Sequence, residues 1–184
     1  MSMSIKPRMT KSELGLIDQC LNAPSMTVLE WGCGGSTKYF LDNQNVSHVV
    51  SIESDEEWID LVEQNLPEES RNRWDPFYKS IGKIGKWSYP VDKTPRKEFV
   101  EYQDHPYSGY ASTEFNLVLV DGRFRVGCAV RFAYNWALEN KDGVEFPRIL
   151  VHDYPKRAGY KVLESIFELE TVVDKLACFS AVKV

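Results

Sequence analysis

The sequence has no Cys-x-x-Cys pair; its four cysteines, Cys20, Cys33, Cys128 and Cys178, stand far apart, without the spacing of a zinc finger. Reduced thiols filling a core are expected rather than a disulfide framework. No apolar run approaches the roughly 20 residues of a membrane span, and Met1 to Arg8 lacks the apolar stretch of a signal peptide. A protein without membrane association and with a cytoplasmic location is expected. Nor is there a surplus of positive charge: 22 Lys and Arg stand against 27 Asp and Glu, a net charge of -5. That disfavours attachment to nucleic acid by bulk electrostatics, and no nucleic-acid partner is expected. The Asn/Asp-Pro-Pro-Tyr/Phe motif that receives the amine of a flipped base is also missing. Its nearest approach, Asp75-Pro76-Phe77-Tyr78, lacks the second proline and is expected to precede the third strand. Repeats and low-complexity tracts are absent from the sequence.

What is present is enough apolar residue, 43% of 184, to bury one sizeable core, so residues 1–184 are read as a single domain. Thr10-x-x-Glu13 reads as a capping box opening a helix with Leu14, Ile17 and Leu21 on one face. Val28 to Glu30 reads as the first strand, and the helix after it carries Tyr39, Phe40 and Leu41. His48 to Glu53 is the second strand, followed by a capping box at Ser54 and Glu57 and a stripe of Trp58, Val62 and Leu66 that Pro67 stops. A short third strand is expected at Phe77 to Ile81.

From there to Glu114 the chain is punctuated by Gly82, Gly85, Pro90, Pro95 and Pro106, and 83–114 is taken as an insertion or lid. It is aromatic for a loop, with Trp87, Tyr89, Phe99, Tyr102, Tyr107 and Tyr110 available either to line an acceptor pocket or to pack against the sheet. Phe115 to Asp121 is the clearest strand, apolar on both faces as in a parallel sheet. A helix through Val126, Ala129, Ala133 and Trp136 follows, closed by Asn140-Lys141-Asp142-Gly143, and then a strand from Ile149 to Asp153. Leu163, Ile166 and Phe167 mark a last helix, and Leu169 to Val173 with Leu176 to Val184 a hairpin at the sheet edge. Strand and helix alternate, which predicts an α/β, doubly wound, Rossmann-like sheet.

Chemistry gathers at the strand ends. Glu30-Trp31-Gly32-Cys33-Gly34-Gly35-Ser36 runs from a strand through a Gly-x-Gly-Gly turn into a helix, where a ligand can approach the main chain and helix amides favour an anion. Glu53, nineteen residues beyond Gly34 and ending the next strand, is placed to grip a ribose diol, with Ser54 beside it. Asp121 and the pair His152-Asp153 end two later strands. Arg123, Arg125 and Lys156-Arg157 follow these acids; solvated charges at a helix start are the commoner reading, but convergence on the pocket would favour an acidic acceptor.

In that order, these motifs resemble the class I S-adenosylmethionine-dependent methyltransferases over nearly the whole chain. The resemblance implies seven strands, mostly parallel with an antiparallel terminal strand, and helices on both faces. It implies cofactor contacts from Glu30, Gly32, Cys33, Gly34, Gly35, Ser36, Glu53, Ser54 and Asp121, with the amides of Gly32 to Gly35 facing the amino-acid part. Adenine contacts usually fall at the positions of Ser80 to Gly82. A narrower resemblance is to metal-dependent O-methyltransferases, in which acids at the fourth and fifth strand ends hold a divalent ion; here Asp121, His152 and Asp153 would hold magnesium or manganese. The same three residues are the catalytic candidates, since an activated sulfonium methyl needs only an aligned nucleophile and a proton acceptor. The function implied is O-methylation of a small molecule or of a sugar or glycan hydroxyl. One rival is an NAD-type oxidoreductase, disfavoured because Thr37 stands where the third glycine belongs and the Tyr89 to Lys93 dyad contains Pro90. Another is a catalytically silent cofactor-binding module.

Overall fold

The computed structural model describes residues 5–94, 97–140 and 143–183. Met1 to Ser4, Pro95, Lys141, Asp142 and Val184, to which sequence expectations attach, lie outside the described residues.

The chain opens with helix α1 (Lys11–Cys20), capped by the expected box: Glu13 N–H donates to Thr10 Oγ1 and Thr10 N–H to Glu13 Oε2. Strand β1 (Met26–Trp31), helix α2 (Gly35–Asp42), strand β2 (Val46–Glu53), helix α3 (Glu56–Gln64), a turn of helix α4 (Glu68–Arg71) and strand β3 (Trp74–Tyr78) follow. After helix α5 (Lys97–Asp104) come β4 (Leu117–Val120), α6 (Arg125–Glu139), β5 (Arg148–Val151), a 3-10 run over Ala158–Ser165, and the strands β6 (Phe167–Val173) and β7 (Leu176–Val182).

The strands form one seven-stranded sheet in the order β3-β2-β1-β4-β5-β7-β6, with β7 antiparallel to both neighbours. The order reverses between β1 and β4, the switch at which an open α/β sheet leaves a crevice beyond its strand ends. Successive residues of the central strands enter opposite cores. Val118 and Val120 join Trp31, Phe132 and Phe179 on one face, while Leu117 and Leu119 join Ile17, Phe40 and Val62 on the other. Each such apolar side chain withdrawn from water contributes about 1.5–3 kcal/mol. No helix among the described residues is long and apolar enough to cross a membrane.

Several sequence expectations shift. The third strand is Trp74–Tyr78, not Phe77 to Ile81, so Asp75-Pro76 lies inside it. β3 is the sheet's edge, where a missing N–H on the outer side costs no ladder bond. α3 is capped by Asp55, whose carboxylate accepts from Trp58 N–H at 3.3 Å, because the Ser54 hydroxyl is engaged by Glu53. The last helix is a 3-10 run only, and Phe167 belongs to β6 as a wholly buried residue. Within 83–114, α5 turns Phe99 and Tyr102 into the core.

Candidate active site

The glycine turn is shaped by three different demands. Gly32 has a φ of +95°, and a Cβ there would meet Gly122 N at 2.7 Å; its N–H reaches Ile52 O at 2.8 Å. Gly34 is extended, and its N–H donates to Thr37 Oγ1 at 2.8 Å. Gly35 begins α2, and a side chain there would strike the Lys6–Pro7 backbone. The Gly32 and Gly34 amides are therefore held inside the protein instead of facing a ligand, which corrects the expectation that all four would be offered.

Beneath the turn, Glu30 is wholly buried and does not line the cavity. Its carboxylate collects the hydroxyls of Ser36 at 2.9 Å, Ser51 at 2.7 Å and Thr37. Burial pushes it up to about 7 against these three hydrogen bonds. Glu30 thus ties β1, β2 and the start of α2 together.

A cavity of about 1040 Å³ opens above the turn, lined by Gly32 to Ser36, Glu53, Ser54, Asp121, His152 and Asp153. Glu53 is nearly buried, and its recorded hydrogen bonds all fall on Oε1: Ser54 N–H at 2.6 Å, Asp55 N–H at 3.1 Å and Ser54 Oγ at 3.1 Å. Burial raises its pKa above the ordinary carboxyl range, with the two amides and the hydroxyl pulling the other way. Trp58 Nε1 donates to Cys33 O at 2.8 Å and fixes the turn from the α3 side; burial drives the Cys33 thiol well up, so it is inert. The rim is formed by Lys6 to Arg8, with Arg8 over the Trp87 ring at 4.8 Å.

Across the cavity, Asp121, His152 and Asp153 converge, each offering a ligand atom within 4.8 Å of the others. A fourth group sits among them. Arg125, almost entirely buried, reaches Asp121 Oδ1 at 3.0 Å and Asp153 Oδ2 at 3.3 Å, and its guanidinium also donates to His152 O. His152 Nδ1 bonds Asp121 Oδ1 at 3.0 Å, and its Nε2 lies 3.5 Å from Glu13 Oε1. Burial lowers the imidazole's pKa, but the Asp121 hydrogen bond and the charges of Asp121, Asp153 and Glu13 outweigh it, and the net direction is upward. Asp153, despite burial, is held down by Arg125, His152, Arg157 and Lys175; its φ is +58°. The donor set does not fit a divalent ion: the carboxylates already share a buried cation, and a metal would have to sit beside it.

The structure brings together every predicted site residue except Glu30, which supports the turn from below, while Ser80 to Gly82 do not line the cavity. His48 pairs with Asp75 at 3.0 Å and His105 packs on Phe77, both structural. Of the aromatics, Trp87 and Tyr89 line the cavity, whereas Tyr102 is fully buried under Gly122 and Tyr110 hydrogen-bonds Asp75. Tyr89 and Lys93 lie beyond a short 3-10 turn, not on a helix. Beyond its capping box, Glu13 had no sequence signal, and its Oε1 accepts Lys175 N–H at 2.8 Å; Arg125, weighed as a solvated charge or as a pocket cation, turns inward onto Asp121.

No protein-family model and no curated protein matches the sequence. Solved structures do match the fold. A methyltransferase-like protein from Silicibacter pomeroyi superposes with a TM-score of 0.80 at 24% identity, over 97% of this chain and 89% of that one. An rRNA methylase from Streptococcus thermophilus gives 0.54 at 10% identity, over 95% and 99% of the two chains. MycE, a methyltransferase of the mycinamycin biosynthetic pathway in complex with Mg and S-adenosylhomocysteine, gives 0.52 at 14%, over 86% of this chain and 42% of its own. The fold is that of the class I S-adenosylmethionine-dependent methyltransferases.

Proposed function

We propose that this protein is an S-adenosylmethionine-dependent methyltransferase that methylates a hydroxyl oxygen of a small molecule, without a metal ion. The observation that carries the reading is the single cavity bounded by the glycine turn and Glu53 on one side and by Asp121 and Asp153 on the other. Glu53 Oε2 is left for the ribose hydroxyls, since the local donors are gathered on Oε1. Asp121 and Asp153 are about one-third exposed and line the cavity, so their carboxylates are open to an acceptor hydroxyl entering it.

A bound S-adenosylmethionine would supply an activated methyl group to the acceptor oxygen, its methyl–sulfur bond pair staying with sulfur as a neutral thioether. The hydroxyl proton passes to the Asp121 carboxylate, which His152 and Arg125 hold in place. Alignment and proton removal are sufficient, because the sulfonium methyl is already activated. Arg125 supplies the positive charge that a metal would bring to these acids. The NAD reading is disfavoured by the start of α2, where a pyrophosphate would sit: the Lys6–Pro7 backbone lies against Gly35 and the Gly34 amide is bonded to Thr37.

The test is calorimetric titration with S-adenosylhomocysteine beside NAD, on the wild type and Glu53→Ala. Binding of S-adenosylhomocysteine alone, weakened about 10- to 100-fold in the variant through loss of a charged hydrogen bond, is expected. Binding of NAD without S-adenosylhomocysteine would overturn the proposal.

A further inference from the structure

A second cavity of about 520 Å³ adjoins the first and shares Tyr89, Gly122, Arg123, Arg125 and Arg157 with it. Its walls hold four cationic side chains, Lys93, Arg123, Arg125 and Arg157, and no Asp or Glu among the described residues. In a chain of net charge -5 this concentration runs against the overall sign.

The four cations are not equally available. Arg125 is neutralised by Asp121 and Asp153, and Arg157 in part by Asp153 at 3.6 Å. Arg123 and Lys93 have no ion pair with a carboxylate among the described residues. Arg123 lies over the Tyr89 ring at 4.1 Å, and Arg157 Nη2 donates to the Tyr89 hydroxyl at 2.9 Å. A planar guanidinium stacked on a ring keeps its N–H edge free for a two-point grip on a carboxylate or phosphate. The guanidinium groups of Arg123 and Arg157 beside it hold the Tyr89 phenol below its ordinary pKa, so this spot already favours negative charge on oxygen. The floor is apolar: the Phe99 and Phe124 rings pack with centroids 4.5 Å apart, and Phe124 is held at a φ of +53°.

We infer that the methyl acceptor is a small anion, an apolar or aromatic body bearing a carboxylate or phosphate that Arg123, Arg157 and Lys93 hold in this second cavity. The inference rests on the methyltransferase reading, because it is the shared wall at Gly122 and Arg123 that would place the body of such an acceptor beside Asp121. A neutral sugar would leave the guanidinium edges unanswered, and a cation would be repelled. The cations surround one compact cavity instead of forming a stripe along the surface, which favours a small acceptor over a nucleic-acid strand.

The test titrates phenyl phosphate, benzoate and neutral benzyl alcohol into the protein saturated with S-adenosylhomocysteine, using the wild type, Arg123→Gln, Arg123→Lys and Lys93→Gln. Urea unfolding confirms that each variant folds. Phenyl phosphate and benzoate are expected to bind and benzyl alcohol not; anion affinity should fall about tenfold or more in Arg123→Gln and recover in part in Arg123→Lys. Equal binding of benzyl alcohol, or anion binding indifferent to Arg123, would overturn the inference. So would binding of a single-stranded oligonucleotide that phenyl phosphate does not displace, since the acceptor would then be a nucleic acid. Repeating the titration without S-adenosylhomocysteine separates the two claims. Arg123-dependent anion binding in a protein that ignores S-adenosylhomocysteine keeps the anion site and removes the methyltransferase.

Discussion

Replacing Glu30 by Gln should change how the protein's stability depends on pH while leaving its fold intact. Two of the three hydroxyls on this carboxylate must donate to it. Thr37 Oγ1 already accepts the Gly34 N–H and Ser51 Oγ the Trp74 Nε1–H, so each has its proton to give. Both donate to Oε1, and Ser36 donates to Oε2. In Glu30→Gln the amide oxygen can replace Oε1, and the NH2 group then faces Ser36, whose hydroxyl accepts from no donor among the described residues and can turn to accept. The network closes again. What disappears is the titration. Glu30 is raised from 4.5 to about 7, so between those values the native state holds a proton that the unfolded chain has lost, and stability falls as pH rises through this window. At about 1.4 kcal/mol per pH unit, the fall amounts to about 3 kcal/mol. Urea unfolding of both proteins at several pH values from about 5 to about 8 measures it. His152 and Glu53, whose pKa values are also raised, change stability in the same direction, but they are common to both proteins and cancel in the comparison. The same decline with pH in Glu30→Gln as in the wild type would refute the reasoning.

Two further outcomes probe the opposite wall. Arg125→Gln removes the buried cation and should cost about 3–5 kcal/mol, since Asp121 and Asp153 lose their partner; added manganese should then raise the melting temperature of the variant and not of the wild type, and a manganese shift in the wild type would count against a metal-free site. Gly122→Ala places a methyl group 2.9 Å from both Gly32 N and Trp31 C and against the Tyr102 hydroxyl, so overpacking of about 1–3 kcal/mol should lower the melting temperature by roughly 2–12 °C. An unchanged melting temperature would show that the two loops can part without cost.

The sequence was legible wherever one residue's role depends on its own strand. The apolar runs ending in Glu30, Glu53, Asp121 and Asp153 announce parallel strands with acids at their ends, and strand order alone then delivers Glu53, Asp121 and Asp153 to one cavity. It was illegible where the role is set by a distant partner. Glu13 completes a local capping box with one oxygen and meets Lys175 and His152 with the other, and only the first contact has a sequence signature. Pro76 is expected ahead of the third strand and lies inside it, because no local pattern says that β3 will be the edge strand. Glu30 looks like a ligand residue by position, but Ser36 and Thr37 follow the glycines and Ser51 lies on the adjacent strand, so three hydroxyls draw its carboxylate inward. Arg125 is the most consequential of these cases. The same Asp121 and Asp153 to which the resemblance assigns a metal are, in space, the partners of Arg125, which opens α6 four residues beyond Asp121. Whether such acids bind an ion or a side chain is decided by which cation the fold has already buried among them.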